Sequence, residues 1–183
     1  MIFGVGEACL IASELGNSPW TVFAEGISKQ TPLSVGAATV ATSFVLLLLW
    51  IPMRQRPGLG TIANAVVIGI VIDAALPVLS GDAPLAVRIA EVVGGIALVA
   101  IGSAFYLGAA LGPGPRDGFM TGLHRVTGRP VAVVRAAIEI SALVAGALLG
   151  GTFGAGTVAF ALLIGPAVAF ALRTAGVTRV GDL

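Results

Sequence analysis

The sequence predicts an all-α membrane protein of about six transmembrane helices, built as two inverted three-helix repeats, and three observations lead there. Residues 6–76 align without a gap onto residues 102–172, at a constant offset of 96, with 20 identities in 71 positions. The informative identities sit at breaks: Leu15-Gly16-Asn17-Ser18-Pro19 matches Leu111-Gly112-Pro113-Gly114-Pro115, and Gly58-Leu59-Gly60-Thr61 matches Gly154-Ala155-Gly156-Thr157. Each copy carries three apolar runs, and an odd number of crossings forces the second copy upside down in a bilayer relative to the first. The chain is also 57% hydrophobic and 10% charged, with a mean hydropathy of +1.03, where a soluble domain carries about 25% charged residues.

Crossing a hydrocarbon core takes about 20 apolar residues. Runs near 1–15, 34–53, 59–79, 85–110, 131–151 and 155–174 are the expected spans, within a single transmembrane domain over 1–183 whose repeats cover 1–80 and 85–176. The first run is short. Its counterpart begins near Leu85, which corresponds to a point roughly ten residues before Met1, so either the chain starts further upstream or the first helix enters the membrane only halfway. Segments 16–33 and 112–129 are too polar to cross. Each begins at a Gly/Pro break and continues as a short helix, Trp20 to Ser28 and Arg116 to Arg125, either lying at the headgroups with Trp20 as an anchor and Lys29 or Arg125 snorkelling, or dipping in as a re-entrant element. Pro57-Gly58 separates spans two and three, Pro84 precedes span four, and Pro130 opens span five. Gly165-Pro166 interrupts span six near its middle, where a kink is expected.

Charge sets orientation and excludes classes. Arg54, Arg56, Arg116, Arg125, Arg129, Arg173 and Arg179 fall on the side of both termini, and Lys29 and Arg88 on the other. By the positive-inside rule both termini are cytoplasmic. A net charge of +1 offers nothing to nucleic acid, while one cysteine, Cys9, and one histidine, His124, exclude an internal disulfide and a multi-histidine or thiolate metal site. The first residues lack the basic n-region and cleavage site of a signal peptide. No nucleophile elbow and no cofactor fingerprint appears, so neither an enzyme nor a bound cofactor or metal is expected.

Ionisable residues inside apolar runs are the functional pointers, since each costs about 2.5–3.5 kcal/mol at a helix centre. Asp73 in span three and Glu139 in span five are expected about 18 Å and about 12 Å from the cytoplasmic ends of their helices, facing a shared cavity near the midplane. Arg135 precedes Glu139 by one turn on the same face, as an ion pair or as part of a site. Glu7 lies in the first run, and Arg116-Asp117 follows the Gly/Pro turn, where it either caps the next helix or reads an anionic group. Arg88 and Glu91 are spaced to pair at the start of span four. Small residues at four-residue steps, Ala104, Gly108 and Gly112 and then Gly146, Gly150 and Gly154, allow close helix packing or a homodimer contact.

The stretches Gly112-Pro113-Gly114-Pro115-Arg116-Asp117-Gly118, Gly58-Leu59-Gly60-Thr61, Arg135-Ala136-Ala137-Ile138-Glu139, 150–157 and Ile164-Gly165-Pro166 together resemble the bacterial YczE-like (YczE/YyaS/YitT) membrane protein family over nearly the whole chain. The resemblance implies a small multi-pass bacterial inner-membrane protein and carries no active site with it. The function expected from the duplicated plan is secondary transport of an unidentified small solute or ion, with Asp73, Arg135, Glu139, Arg116, Asp117 and Glu7 as candidate binding residues. The alternative is a membrane accessory or scaffold protein with no transport or catalytic activity.

Overall fold

The computed structural model describes residues 1–79, 83–109 and 111–175, and Arg179 lies outside them. Among the described residues the chain is all-helical: α1 (Ile2–Ser13), α2 (Pro19–Gln30), α3 (Val35–Trp50), α4 (Leu59–Leu79), α5 (Leu85–Gly108), α6 (Pro115–Thr127), α7 (Val131–Leu148) and α8 (Ala155–Thr174). Four of these, α4, α5, α7 and α8, are long and apolar enough to cross a bilayer, and α2 with α3 passes as a fifth only as a pair bent by 114°. α1 is apolar but 12 residues long.

Local chemistry sets the breaks. α2 and α6 both open on a proline, at the one position where its missing N–H costs no helical bond. The turns before them pass through Gly16 (φ 121) and Gly112 (φ 111), a backbone region that a side chain rarely adopts. These glycines are also pressed against the opposite half of the chain. A Cβ on Gly16 would meet Gly154 and Thr157, and one on Gly112 would meet Thr61 and Gly58. The same crossing is sealed by backbone bonds, Gly60 N–H to the Leu111 carbonyl at 2.9 Å and Gly156 N–H to the Leu15 carbonyl at 2.8 Å. Adding the offset of 96 to Gly60 and subtracting it from Leu111 gives Gly156 and Leu15, so each bond is the other's twin.

α1 and α5 cross at the centre. Gly6 lies against Gly95 and Val99, while Phe3 lies against Gly102, so α5 recedes as α1 advances and the two run antiparallel. Leu10, Val92 and Ile96 form one apolar cluster there, and Val99, Ala100 and Ile164 another. α4 packs on α1 as α8 packs on α5, and α2 lies along α7 as α6 lies along α3. Gly146 serves this last contact within the chain, its α-carbon turned to the backbone of Val22 and Phe23. At the equivalent crossing Trp50, 1% exposed, lies over Gly118 and donates from its indole N–H to the Pro115 carbonyl at 3.1 Å.

The outside of this bundle is apolar and the inside is not. Leu48, Val93, Leu162 and Phe170 are more than half exposed, whereas Glu7, Asn17, Ser18, Thr21, Glu25 and Thr61 are buried. Water would favour the opposite distribution, and lipid favours this one, because polar groups turned inward find partners that hydrocarbon cannot supply.

Candidate functional site

Every helix contributes to a central cavity of about 230 Å³. Its walls pair equivalent positions of the two copies: Glu7 with Ser103, Trp20 with Arg116, and Ser43 with Glu139. The cavity is thus lined by both copies of the sequence repeat, which differ at these positions. A more apolar groove of about 410 Å³ adjoins it between the starts of α1 and α4 and the end of α5, sharing Asn64 and Tyr106 with it.

Glu7 faces the start of α2. Its carboxylate accepts from the Ser18 hydroxyl at 2.9 Å and the Thr21 hydroxyl at 2.6 Å, and the side chain is 1% exposed. Negative charge is favourable there, where the first amides of a helix are unpaired. α6 carries its acid at the equivalent place, Asp117, and the Tyr106 hydroxyl donates to it. Burial pushes the Asp117 carboxyl above its ordinary range, against the lowering influence of Tyr106 and of the Arg135 and Arg116 charges. Arg116 lies over the Trp20 ring, with its guanidinium carbon 5.3 Å from the centroid. Across the cavity, Arg135 Nε donates to Glu139 at 3.0 Å, and these two side chains are 49% and 34% exposed.

Five of the six candidate residues thus converge: Glu7, Arg116, Asp117, Arg135 and Glu139 line one cavity. Asp73 does not. It stands against the start of α3, accepting from the Ser34 hydroxyl at 2.5 Å and the Gly36 amide at 2.8 Å, because α3's unpaired first amides attract a carboxylate. A smaller expectation is also corrected. Arg88 pairs with Glu14 at 3.3 Å and with the Ser13 carbonyl at 2.5 Å, tying α5 to the end of α1, and not with Glu91. Trp20 lines the cavity, and Lys29 pairs with Glu25 at 2.7 Å and donates to the Gly150 carbonyl at 2.9 Å.

Sequence reasoning passed over Tyr106, whose partner Asp117 lies beyond the Gly/Pro break, and Glu25. The Glu25 carboxylate accepts from the Asn17 side chain at 2.7 Å, the Thr152 amide at 2.8 Å and the Thr152 hydroxyl at 2.7 Å, which fastens α2 to the turn between α7 and α8. Nothing local in the sequence marks Thr152 as its partner. Among the described residues no group of three or more His, Cys, Asp or Glu is arranged to hold a metal ion.

A family profile described as a family of unknown function, DUF6198, matches residues 1–173. The chain belongs to this family. An uncharacterized protein of Haemophilus influenzae is 40% identical over 172 residues, covering 94% of this chain and 79% of the relative. The uncharacterized membrane protein YczE of Bacillus subtilis is 31% identical over 173 residues, 94% of this chain and 80% of the relative. The uncharacterized protein YyaS of the same organism is 29% identical over 161 residues, 86% and 80%. The YczE-like resemblance is thereby established, and with the apolar helices it makes this DUF6198 chain a membrane protein. No solved structure matches it.

Proposed function

We propose that the protein is a secondary transporter of the bacterial cytoplasmic membrane, carrying a small solute through the central cavity, with both termini cytoplasmic and two inverted repeats that exchange roles as access alternates. The reciprocal bonds at Gly60–Leu111 and Gly156–Leu15, and the antiparallel crossing of α1 with α5, support the inversion. Equivalent helices running antiparallel are related by an axis across their length, which lies in the membrane plane when the helices stand upright.

The observation that carries the reading is the inequality of two seams that the repeat makes equivalent. Between α3 and α4, Gly36 and Gly69 are buried backbone to backbone, so that a Cβ on either would overlap the other's carbonyl oxygen, and Asp73 clamps Ser34 and Gly36 across the joint. At the same offset the second copy has Ala132, Gly165, Ala169 and Pro130. The clamp is gone, Ala132 and Gly165 are exposed, and a Cβ on Gly165 would meet no atom within 4 Å. α7 packs chiefly on α2 and α6, and α8 chiefly on α5, with the cavity running between them past Arg135, Glu139 and Gly165. One seam shut and its twin open is the arrangement of an alternating-access carrier in one of its two states.

The test needs no known substrate. Spin labels on Ala132→Cys and Gly165→Cys, in a Cys9→Ser background and in lipid vesicles, should give two distance populations as the seam opens and closes. A single narrow distance, with one specific membrane protein co-purifying, would instead favour the scaffold role.

A further inference from the structure

The cavity's charges are unequally satisfied, and the remainder specifies a ligand. Glu7 has both carboxylate oxygens engaged by Ser18 and Thr21. Asp117 takes the Tyr106 hydroxyl on one oxygen only, and Glu139 takes Arg135 on one oxygen only, so each keeps an oxygen with no donor among the described residues. Arg116 is the opposite case. Half-buried and stacked on Trp20, its guanidinium has no hydrogen-bond acceptor and no carboxylate within ion-pair range among the described residues. A guanidinium carries five N–H donors in a rigid fork shaped for a carboxylate, and leaving them unmade in a confined site costs free energy that a matching ligand recovers.

We infer that the cavity binds a small amino-acid-like zwitterion, its carboxylate on the free Arg116 fork and its ammonium on the unoccupied oxygens of Asp117 and Glu139. Charge balance separates this ligand from its neighbours. The lining holds three carboxylates, Glu7, Asp117 and Glu139, and two guanidiniums, Arg116 and Arg135. A bare anion would add to that excess of negative charge and a bare cation would leave Arg116 unmet, whereas a zwitterion engages both signs and adds no net charge to a low-dielectric interior. Size agrees. The cavity of about 230 Å³ and the adjoining groove of about 410 Å³ give a single amino acid room for its charged groups and its side chain. Phe3, Val99, Phe160 and Ile164 offer an apolar wall to a side chain.

This inference rests on the carrier reading of the same cavity, and equilibrium binding to the purified full-length protein tests it separately from flux. Three probes share one carbon skeleton: leucine, isocaproate without the amine, and isoamylamine without the carboxylate. Leucine is expected to raise the unfolding temperature, and to change Trp20 fluorescence in a Trp50→Phe background, with both truncated probes binding at least about tenfold more weakly. Arg116→Lys keeps the charge but loses the fork and should weaken leucine about tenfold, and Arg116→Gln should abolish binding. If Arg116→Gln does not fold, Arg116→Lys and the probe series carry the test. Isocaproate or isoamylamine binding as tightly as leucine, unchanged affinity in Arg116→Lys, or no response to leucine, alanine, phenylalanine or glycine betaine would overturn the inference. Leucine binding without flux in vesicles would leave it standing and remove the carrier reading. Flux of a simple cation or anion without zwitterion binding would do the reverse.

Discussion

Arg116 and Trp20 occupy the same position in the two copies of the repeat, and in the folded chain they meet, guanidinium over indole at 5.3 Å. Both residues line the central cavity, and the contact sets a cation from one copy of the sequence repeat on an aromatic face from the other. The cavity's charge comes from positions at which the two copies of the sequence have diverged.

The two glycines of the seams should respond oppositely to the same change. In Gly69→Ala the new methyl overlaps the Gly36 carbonyl and Val40, and overpacking of this kind costs about 1–3 kcal/mol. In Gly165→Ala the methyl enters open space, and the gain in helix propensity leaves stability unchanged or raised by up to about 1 kcal/mol. Thermal unfolding of the two variants in the same detergent checks this, and equal losses would contradict an open α7–α8 seam.

Glu25 should prove structural. Glu25→Ala removes the acceptor for Asn17, for the Thr152 amide and hydroxyl, and for Lys29, and stranding buried donors of this kind costs about 2–4 kcal/mol. The expected result is a lowered unfolding temperature, with leucine affinity unchanged in whatever fraction remains folded. A loss below about 0.5 kcal/mol would show that the α2 attachment is held by packing alone.

Asp73→Asn is expected to cost about 1 kcal/mol, the scale of a lost helix cap, through its bonds to Ser34 and Gly36. Because Asp73 is absent from the cavity wall, ligand affinity measured by calorimetry should stay within about twofold, a difference of roughly 0.4 kcal/mol. What should change is the α3–α4 seam, read as a wider distance distribution between labels placed on those two helices.

Glu139→Gln should separate stability from function. The Arg135–Glu139 pair lies within α7 at i,i+4 spacing, 49% and 34% exposed, and partly exposed pairs of this sort contribute about 1 kcal/mol or less. Unfolding temperature should therefore move little, while leucine affinity falls through loss of an ammonium acceptor. A large drop in stability with unchanged binding would make the pair a packing device.

Tryptophan 50 offers a simpler check of the fold. Trp50→Phe loses the indole donor to the Pro115 carbonyl, a net cost of about 1 kcal/mol, while the aromatic surface over Gly118 is largely kept. Trp50→Ala should cost about 3–5 kcal/mol, since it empties a fully buried site.

Much of this was legible before any fold was known. The apolar runs at 59–79 and 155–174 coincide with α4 and α8, and the breaks at Gly16 and Gly112 lie where the backbone turns, because hydrophobic length and Gly/Pro chemistry act over a few neighbouring residues. Glu7, Arg135 and Glu139 were recoverable as candidates for a related reason, since a charge in an apolar run is costly wherever the rest of the chain goes, and Arg116 and Asp117 because they follow a Gly/Pro turn at a helix start. Asp73 met the same criterion and was misplaced, since depth along a helix says nothing of which neighbour the residue faces. Tyr106 and Glu25 were missed because an aromatic residue in a span and an acid in a polar segment are each unremarkable until a partner is named.

The sequence by itself determined the class, the internal duplication, the main breaks and the inventory of charge, all of which follow from local composition and from a comparison of the chain with itself, whereas of six expected spans four are single helices long enough to cross. Only the tertiary structure decided which charges face each other, that the Arg116 guanidinium stacks on Trp20 without a direct ion pair while Glu25 has a ring of donors, and that one of two equivalent seams is closed. Pairing depends on the angles and rotations at which helices cross, and those angles are settled by contacts such as Gly36 on Gly69 between residues far apart in the chain, where a single methyl group separates a sealed joint from an open one.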